Sequence, residues 1–198
     1  MDVNLDRRIA NCYWNIIDNL AYKIDKIANL YDDKISKEYE KECEECNIKK
    51  DSNILHIGCG AYPITAMTIN STNGAKVVGI DKNPRSVKLA RNLICKRNLQ
   101  SKITIEKGDG ENYPVDKFDT IIISGCSYPR ERILDHIFEK AKDNSKIIVR
   151  ESHTTVKSLI EYIDSYKNIK IVKKIENHSL FLFRNLKWQS FYLNKKSN

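Results

Sequence analysis

Apolar positions in the first third of the chain recur at spacings of three and four. Ile9, Tyr13, Ile16, Ile17, Leu20, Ile24, Ile27 and Leu30 follow this rhythm. It places them on one face of a helix, so the sequence predicts helical structure over 5–46, with a second helix from about Asp33 to Cys46. The polar segment Asn47–Ser52 is predicted to link this region to the rest. From residue 53 the pattern changes. Short apolar runs at Ile54–Ile57, Lys76–Ile80, Ile103–Ile105, Thr120–Ile123 and Lys146–Val149 alternate with helical spacing over Ile64–Asn70, Asn83–Asn98, Glu131–Lys142 and Val156–Tyr166. Such alternation predicts a parallel sheet covered on both faces. Near the end, Lys170–Ile175 and Ser179–Arg184 are predicted to form an antiparallel pair that closes the sheet. The expected fold is α/β, a Rossmann-like doubly wound and mostly parallel sheet. Residues 1–50 form a small helical cap and residues 51–198 the main domain.

Composition narrows the class. With 41% hydrophobic and 30% charged residues the chain has the make-up of a soluble globular protein. No stretch approaches the roughly 20 apolar residues of a membrane helix. The first residues lack a basic segment followed by an apolar one, and a cytoplasmic location is expected. In that compartment the six cysteines are expected to be reduced, mostly as small buried hydrophobes. The net charge of +8 permits a nucleic-acid partner. No basic run is interleaved with aromatics, however, so a small-molecule acceptor is preferred.

The chemistry concentrates at three turns. The first apolar run ends in Gly58-Cys59-Gly60, where the chain turns tightly and the next helix begins with free N–H groups. The second run ends in Asp81, followed by Lys82; a carboxylate there can accept both hydroxyls of a ribose. Asn83-Pro84 reads as cap and first position of a helix. The third run leads to Gly108-Asp109-Gly110, whose carboxylate can accept from an adenine amino group. The third glycine of a dinucleotide fingerprint is missing, and so is a Gly-Lys-Ser/Thr phosphate loop. A nucleoside cofactor without phosphates fits this set. Ser124 completes the cofactor-binding candidates Gly58, Cys59, Gly60, Asp81, Lys82, Asp109 and Gly110.

Residues 54–111 resemble the motifs of class I S-adenosylmethionine-dependent methyltransferases, and the resemblance is closer to the nicotianamine synthase family. Gly58-Cys59-Gly60-Ala61-Tyr62-Pro63-Ile64-Thr65 is similar to that family's Gly-x-Gly-Pro-Leu-Pro-Leu-Thr loop. Ser124–Glu131, with Pro129 and Arg130, and Ile147–Thr155 resemble its fourth and fifth strands. The likeness spans roughly 53–185. It implies S-adenosylmethionine as cofactor, with transfer either of its methyl group or of its aminocarboxypropyl group to an amine. Methyl transfer leads because that class is more populous. Ala61 and Tyr62 depart from the family's proline and leucine, and the N-terminal helical region is shorter. An RNA methyltransferase and a non-catalytic nucleoside-binding module stand as further alternatives. The base-methylation motif Asn-Pro-Pro-Tyr is absent where the chain reads Ser124-Gly125-Cys126-Ser127.

Transfer from a sulfonium requires a positioned nucleophile, excluded water and an acceptor for a proton. Tyr62, Tyr128, Glu151 and His153 are the candidate catalytic residues, all expected at the C-terminal ends of strands. Tyr13 and Trp14 are candidates to close over the substrate. Cys43-x-x-Cys46 has half of a zinc spacing without a second pair, and no metal is expected there. Cys59, Cys126 and His153, soft donors predicted at one rim, are read first as buried thiols and a nearby imidazole.

Overall fold

The computed structural model describes residues 3–181 and 184–196. Two helices, α1 (Val3–Lys23) and α2 (Asp25–Glu45), precede the sheet. There follow β1 (Asn53–Ile57), α3 (Ile64–Asn73), β2 (Lys76–Asp81), α4 (Pro84–Lys96), β3 (Ile103–Lys107), β4 (Thr120–Ile123), α5 (Arg130–Lys140), β5 (Lys146–Ser152), α6 (Val156–Asp164), β6 (Ile169–Phe181) and β7 (Arg184–Lys195). The strand order is β3-β2-β1-β4-β5-β7-β6, parallel except at β7, which runs antiparallel to both neighbours. This is the expected α/β, doubly wound, mostly parallel sheet.

The parallel strands are buried on both faces and therefore read as continuous apolar runs. Ile54, Ile122 and Ile148 point to one side, where they meet α1, α2, α3 and α4. Leu55, Ile121 and Ile147 point to the other and pack on α5 and α6. The strand order reverses between β1 and β4, so the crevice for a ligand lies at the C-terminal ends of those two strands.

Three expectations need correction. The first helix breaks at Ile24, whose extended backbone separates α1 from α2, and not near residue 32. The inward face of α1 is also rotated from the predicted stripe: Leu5, Ile9 and Ile16 are exposed, while Arg7, Ile17, Asp18 and Ala21 are buried. That face lines a cavity and carries polar groups, and a stripe chosen by apolar spacing alone misses it. Finally, Lys170–Ile175 and Ser179–Arg184 are not two strands paired with each other: 170–175 and 179–181 lie in one long strand, β6, whose partner is β7. Asn177 pairs with Trp188, His178 with Lys187, and the Asn177 amide donates to Ser190 Oγ at 3.0 Å. Leu182 and Phe183 of the predicted pair lie outside the described residues.

Candidate active site

The turn after β1 is built by glycine. Gly58 and Gly60 have φ of +78° and +68°, in the left-handed region that side chains avoid. A Cβ on Gly60 would collide with the carboxylate of Asp18, which α1 lowers onto the turn. The Gly60 N–H donates to Asp81 Oδ2 at 3.0 Å, tying the turn to the end of β2. Asp81 Oδ1 accepts from the Asn83 N–H at 2.9 Å. Asn83 caps α4, accepting from the Arg85 N–H, with Pro84 in the first turn. A carboxylate offers about four acceptor positions, so Asp81 retains capacity for a pair of hydroxyls. Burial pushes its pKa upward. Asp109 Oδ1 accepts from the Glu111 N–H at 3.1 Å, an Asx-type turn at the end of β3. Lys82 is exposed and donates to the Tyr128 carbonyl at 2.6 Å.

Between this turn and the first two helices lies a cavity of about 590 Å³. Gly58, Cys59, Tyr62, Ser124, Glu151 and His153 line it. Gly60, Asp81, Lys82, Asp109, Gly110 and Tyr128 do not line it; the Gly60 N–H, next in sequence to the lining residue Cys59, holds Asp81. The predicted residues thus fall into a nucleoside rim along the ends of β2 and β3 and an enclosed chamber beneath α1 and α2.

Side chains already bonded within the protein are constrained in what else they can do. Glu151 is fully buried and accepts from Arg7 Nη2 at 3.0 Å and from the Thr155 hydroxyl at 2.7 Å, with Arg130 Nε 3.7 Å away. Arg7 also reaches Glu131 at 2.6 Å, and Asn11 donates to the Cys126 carbonyl at 2.8 Å, so α1 is fastened across the chamber. The Tyr62 hydroxyl donates to Asp32 and accepts from Arg97, leaving its ring as wall. Arg150 is paired with Glu42 at 2.6 and 3.0 Å, donates to Thr65 and lies 3.6 Å above the Tyr39 ring. His153 sits exposed at the mouth. Cys59 and Cys126 both line the chamber, and burial raises their thiol pKa values, that of Cys126 to about 12. Among the described residues no group of three potential ligands is placed to hold a metal ion. No described helix is long and apolar enough to cross a membrane.

Two residues escaped sequence reasoning. Asp18 is buried on α1. It accepts from the Tyr31 hydroxyl at 3.3 Å and from the backbone N–H groups of Ala61 and Tyr62. Burial, together with the charge of Asp81, pushes its pKa up to about 8. His56, inside β1, has Nε2 2.7 Å from Ser124 Oγ, which is itself 2.9 Å from the Gly58 carbonyl. Burial and the nearby Arg150 hold its pKa well below the usual range, so the ring is neutral. Asp18 sits in a weakly patterned helix and His56 inside an apolar run. The one legible signal was His56, a polar residue inside the apolar run Ile54–Ile57.

The residues present fit a nucleoside with a charged aliphatic tail. The glycine cradle admits close approach, Asp81 and Asp109 offer carboxylates at the end of β2 and just after β3, and the chamber opens beside Gly58.

A family described as a methyltransferase domain matches residues 48–192. A probable cobalt-precorrin-6B C(15)-methyltransferase (decarboxylating) of Saccharolobus solfataricus is 30% identical over 106 residues, 52% of this chain and 53% of that protein. Ajmaline N-methyltransferase of Rauvolfia serpentina is 29% identical over 96 residues, 48% of this chain and 30% of that one. The chain thus spans about half, and under a third, of the lengths of these two relatives. Among solved structures, a mutant of MtNAS in complex with S-adenosylmethionine superposes with a TM-score of 0.70 at 16% identity, covering 91% of this chain and 71% of that one. At such identity the likeness speaks for the fold.

Proposed function

Because the chain belongs to the methyltransferase-domain family, matched over residues 48–192, we propose that it transfers a methyl group from S-adenosylmethionine to a small-molecule acceptor held beneath α1 and α2. The carrying observation is the glycine turn at the strand-order reversal: Gly58 and Cys59 line the chamber, while the next residue, Gly60, donates its N–H to Asp81 at the end of β2.

The bound cofactor supplies an electrophilic methyl carbon. This chain's residues supply position and enclosure. Asp81 takes the ribose hydroxyls and Asp109 the adenine amino group. Gly58 and Gly60 let the aliphatic tail approach the backbone, and Ser124 fixes the turn through the Gly58 carbonyl. α1, fastened by Arg7 and Asn11, covers one side of the chamber. Holding the reactants in line within such a chamber is the main lever in a displacement of this kind. Glu151, gripped by Arg7 and Arg130, serves best as the anchor of that lid. Asp18 is the proton acceptor this reading assigns, since its raised pKa lies near neutrality. The enclosure also favours a small acceptor over a polynucleotide.

A second reading, transfer of the aminocarboxypropyl group in the manner of nicotianamine synthases, draws on the Gly58–Thr65 loop. Mass spectrometry of the cofactor-derived product separates the readings. S-Adenosylhomocysteine is expected for methyl transfer; methylthioadenosine in its place would replace the first reading with the second. Cofactor binding without either product, across a panel of acceptors, would speak for a binding module.

A further inference from the structure

Beneath α1 the chamber is walled by aromatic rings in a continuous run. Tyr13 meets Trp14 edge-on at 5.4 Å, Trp14 stacks on Tyr31 at 6.0 Å and 18°, and Tyr31 leans on Tyr62 at 5.6 Å. All four line the cavity. The faces of such rings carry negative quadrupole density and attract cations. Asp18 lies against the same run through the Tyr31 hydroxyl.

The chamber's other buried charges are already matched. Arg150 belongs to Glu42, and Glu151 to Arg7 and Arg130. Asp18 is different: among the described residues no cation is paired with it, and its charged neighbour is a second carboxylate, Asp81. A buried carboxylate beside another carboxylate stays ionised near neutral pH only when a positive group arrives; otherwise it takes up a proton.

We propose that the acceptor is an organic amine, bound as its cation by the aromatic walls with Asp18 as counter-ion. The inference rests on the methyl-transfer reading and names its substrate class. In the reaction the bound ammonium passes one N–H proton to the Asp18 carboxylate. The freed lone pair then forms the N–C bond to the methyl carbon while the C–S bond breaks, its electrons going to sulfur. Asp18 returns its proton to solvent when product leaves.

The same ammonium chemistry has a second source, the amino group of the cofactor's own tail, and the test separates the two. The chain holds two tryptophans, Trp14 and Trp188, and both line the chamber, so intrinsic fluorescence reports its occupancy. Choline and its neutral isostere 3,3-dimethylbutan-1-ol are titrated at pH 8.5, where the Asp18 carboxylate is ionised. This is done on the free protein and on the protein saturated with S-adenosylhomocysteine, whose tail keeps its ammonium. Choline is expected to bind about tenfold more tightly than the isostere in both states. Asp18→Asn brings the two within about twofold, and Tyr31→Leu, which spares the carboxylate, lowers the preference in part. A preference seen in the free protein and lost in the S-adenosylhomocysteine complex assigns the cation seat to the cofactor and overturns the proposal. So does equal binding of the two probes. Calorimetry of S-adenosylhomocysteine binding is read separately. Its failure counts against the methyl-transfer reading, while the choline titration of the free protein still decides the cation seat.

Discussion

Replacing Asp18 by Asn removes an ionisable group from a buried site while keeping its shape. The wild-type carboxyl rises from 3.8 to about 8 on folding, mainly through desolvation. Below the lower value both folded and unfolded chains hold the proton and the group is neutral in its effect. Between the two values the folded chain binds more protons than the unfolded one, so stability falls as pH rises, and the loss is complete above about 8. At roughly 1.4 kcal/mol per unit, the full shift corresponds to about 6 kcal/mol as an upper bound. The cavity beside Asp18 admits water, and α1 can relax, so about half of that is expected. Urea unfolding of both proteins at pH 5 and pH 8.5 measures the effect as a difference in which most other titrations cancel. Asp18→Asn should gain about 2 kcal/mol on wild type over that interval, equivalent to roughly 4–8 °C in Tm. A gap that stays constant with pH would refute the reasoning. It would mean that Asp18 is either solvated or matched by a cation in the folded protein.

Other perturbations probe separate parts of the structure. Glu42→Ala leaves the buried Arg150 guanidinium without its carboxylate and should destabilise by about 3–5 kcal/mol in chemical unfolding. Gly60→Ala places a side chain at φ +68° against Asp18; it should cost about 2 kcal/mol or more and weaken S-adenosylhomocysteine binding measured by calorimetry. Adding Asp18→Ala should return the part due to the collision and leave the part due to backbone conformation. Arg7→Ala cuts α1 from Glu131 and Glu151. Hydrogen exchange in Val3–Lys23 should then speed up at least tenfold, with the amides of β1 and β4 unchanged.

Much of the sheet was legible because parallel strands buried on both faces leave a strong local mark. Ile54–Ile57 and Thr120–Ile123 are apolar at nearly every position, and each is bounded by a turn. Asn83-Pro84 announced α4 because a cap is a local device. The final hairpin was less legible. The pairing of Asn177 with Trp188 is a contact across eleven residues, and no local spacing announces it. The helical face of α1 was mistaken for a related reason. Its inward residues answer to a chamber floor formed by the ends of distant strands.

The candidate site divides in the same way. Gly58, Gly60, Asp81 and Asp109 sit at or just beyond strand ends, and their spacing along the chain carries the role proposed for them, because one connection of ordinary length separates each turn from the next. The sequence therefore determined the sheet class, the order of strand and helix, and the nucleoside rim. The tertiary structure alone decided what the acceptor chamber contains. Folding α1 back over the sheet places Asp18 on Gly60, 42 positions later in the sequence, brings Arg7 to Glu151 across 144 positions, and lines Trp14 up with Tyr31 and Tyr62. None of these pairs leaves a local pattern. Their charges and rings acquire meaning only when burial removes the water that would otherwise screen and separate them.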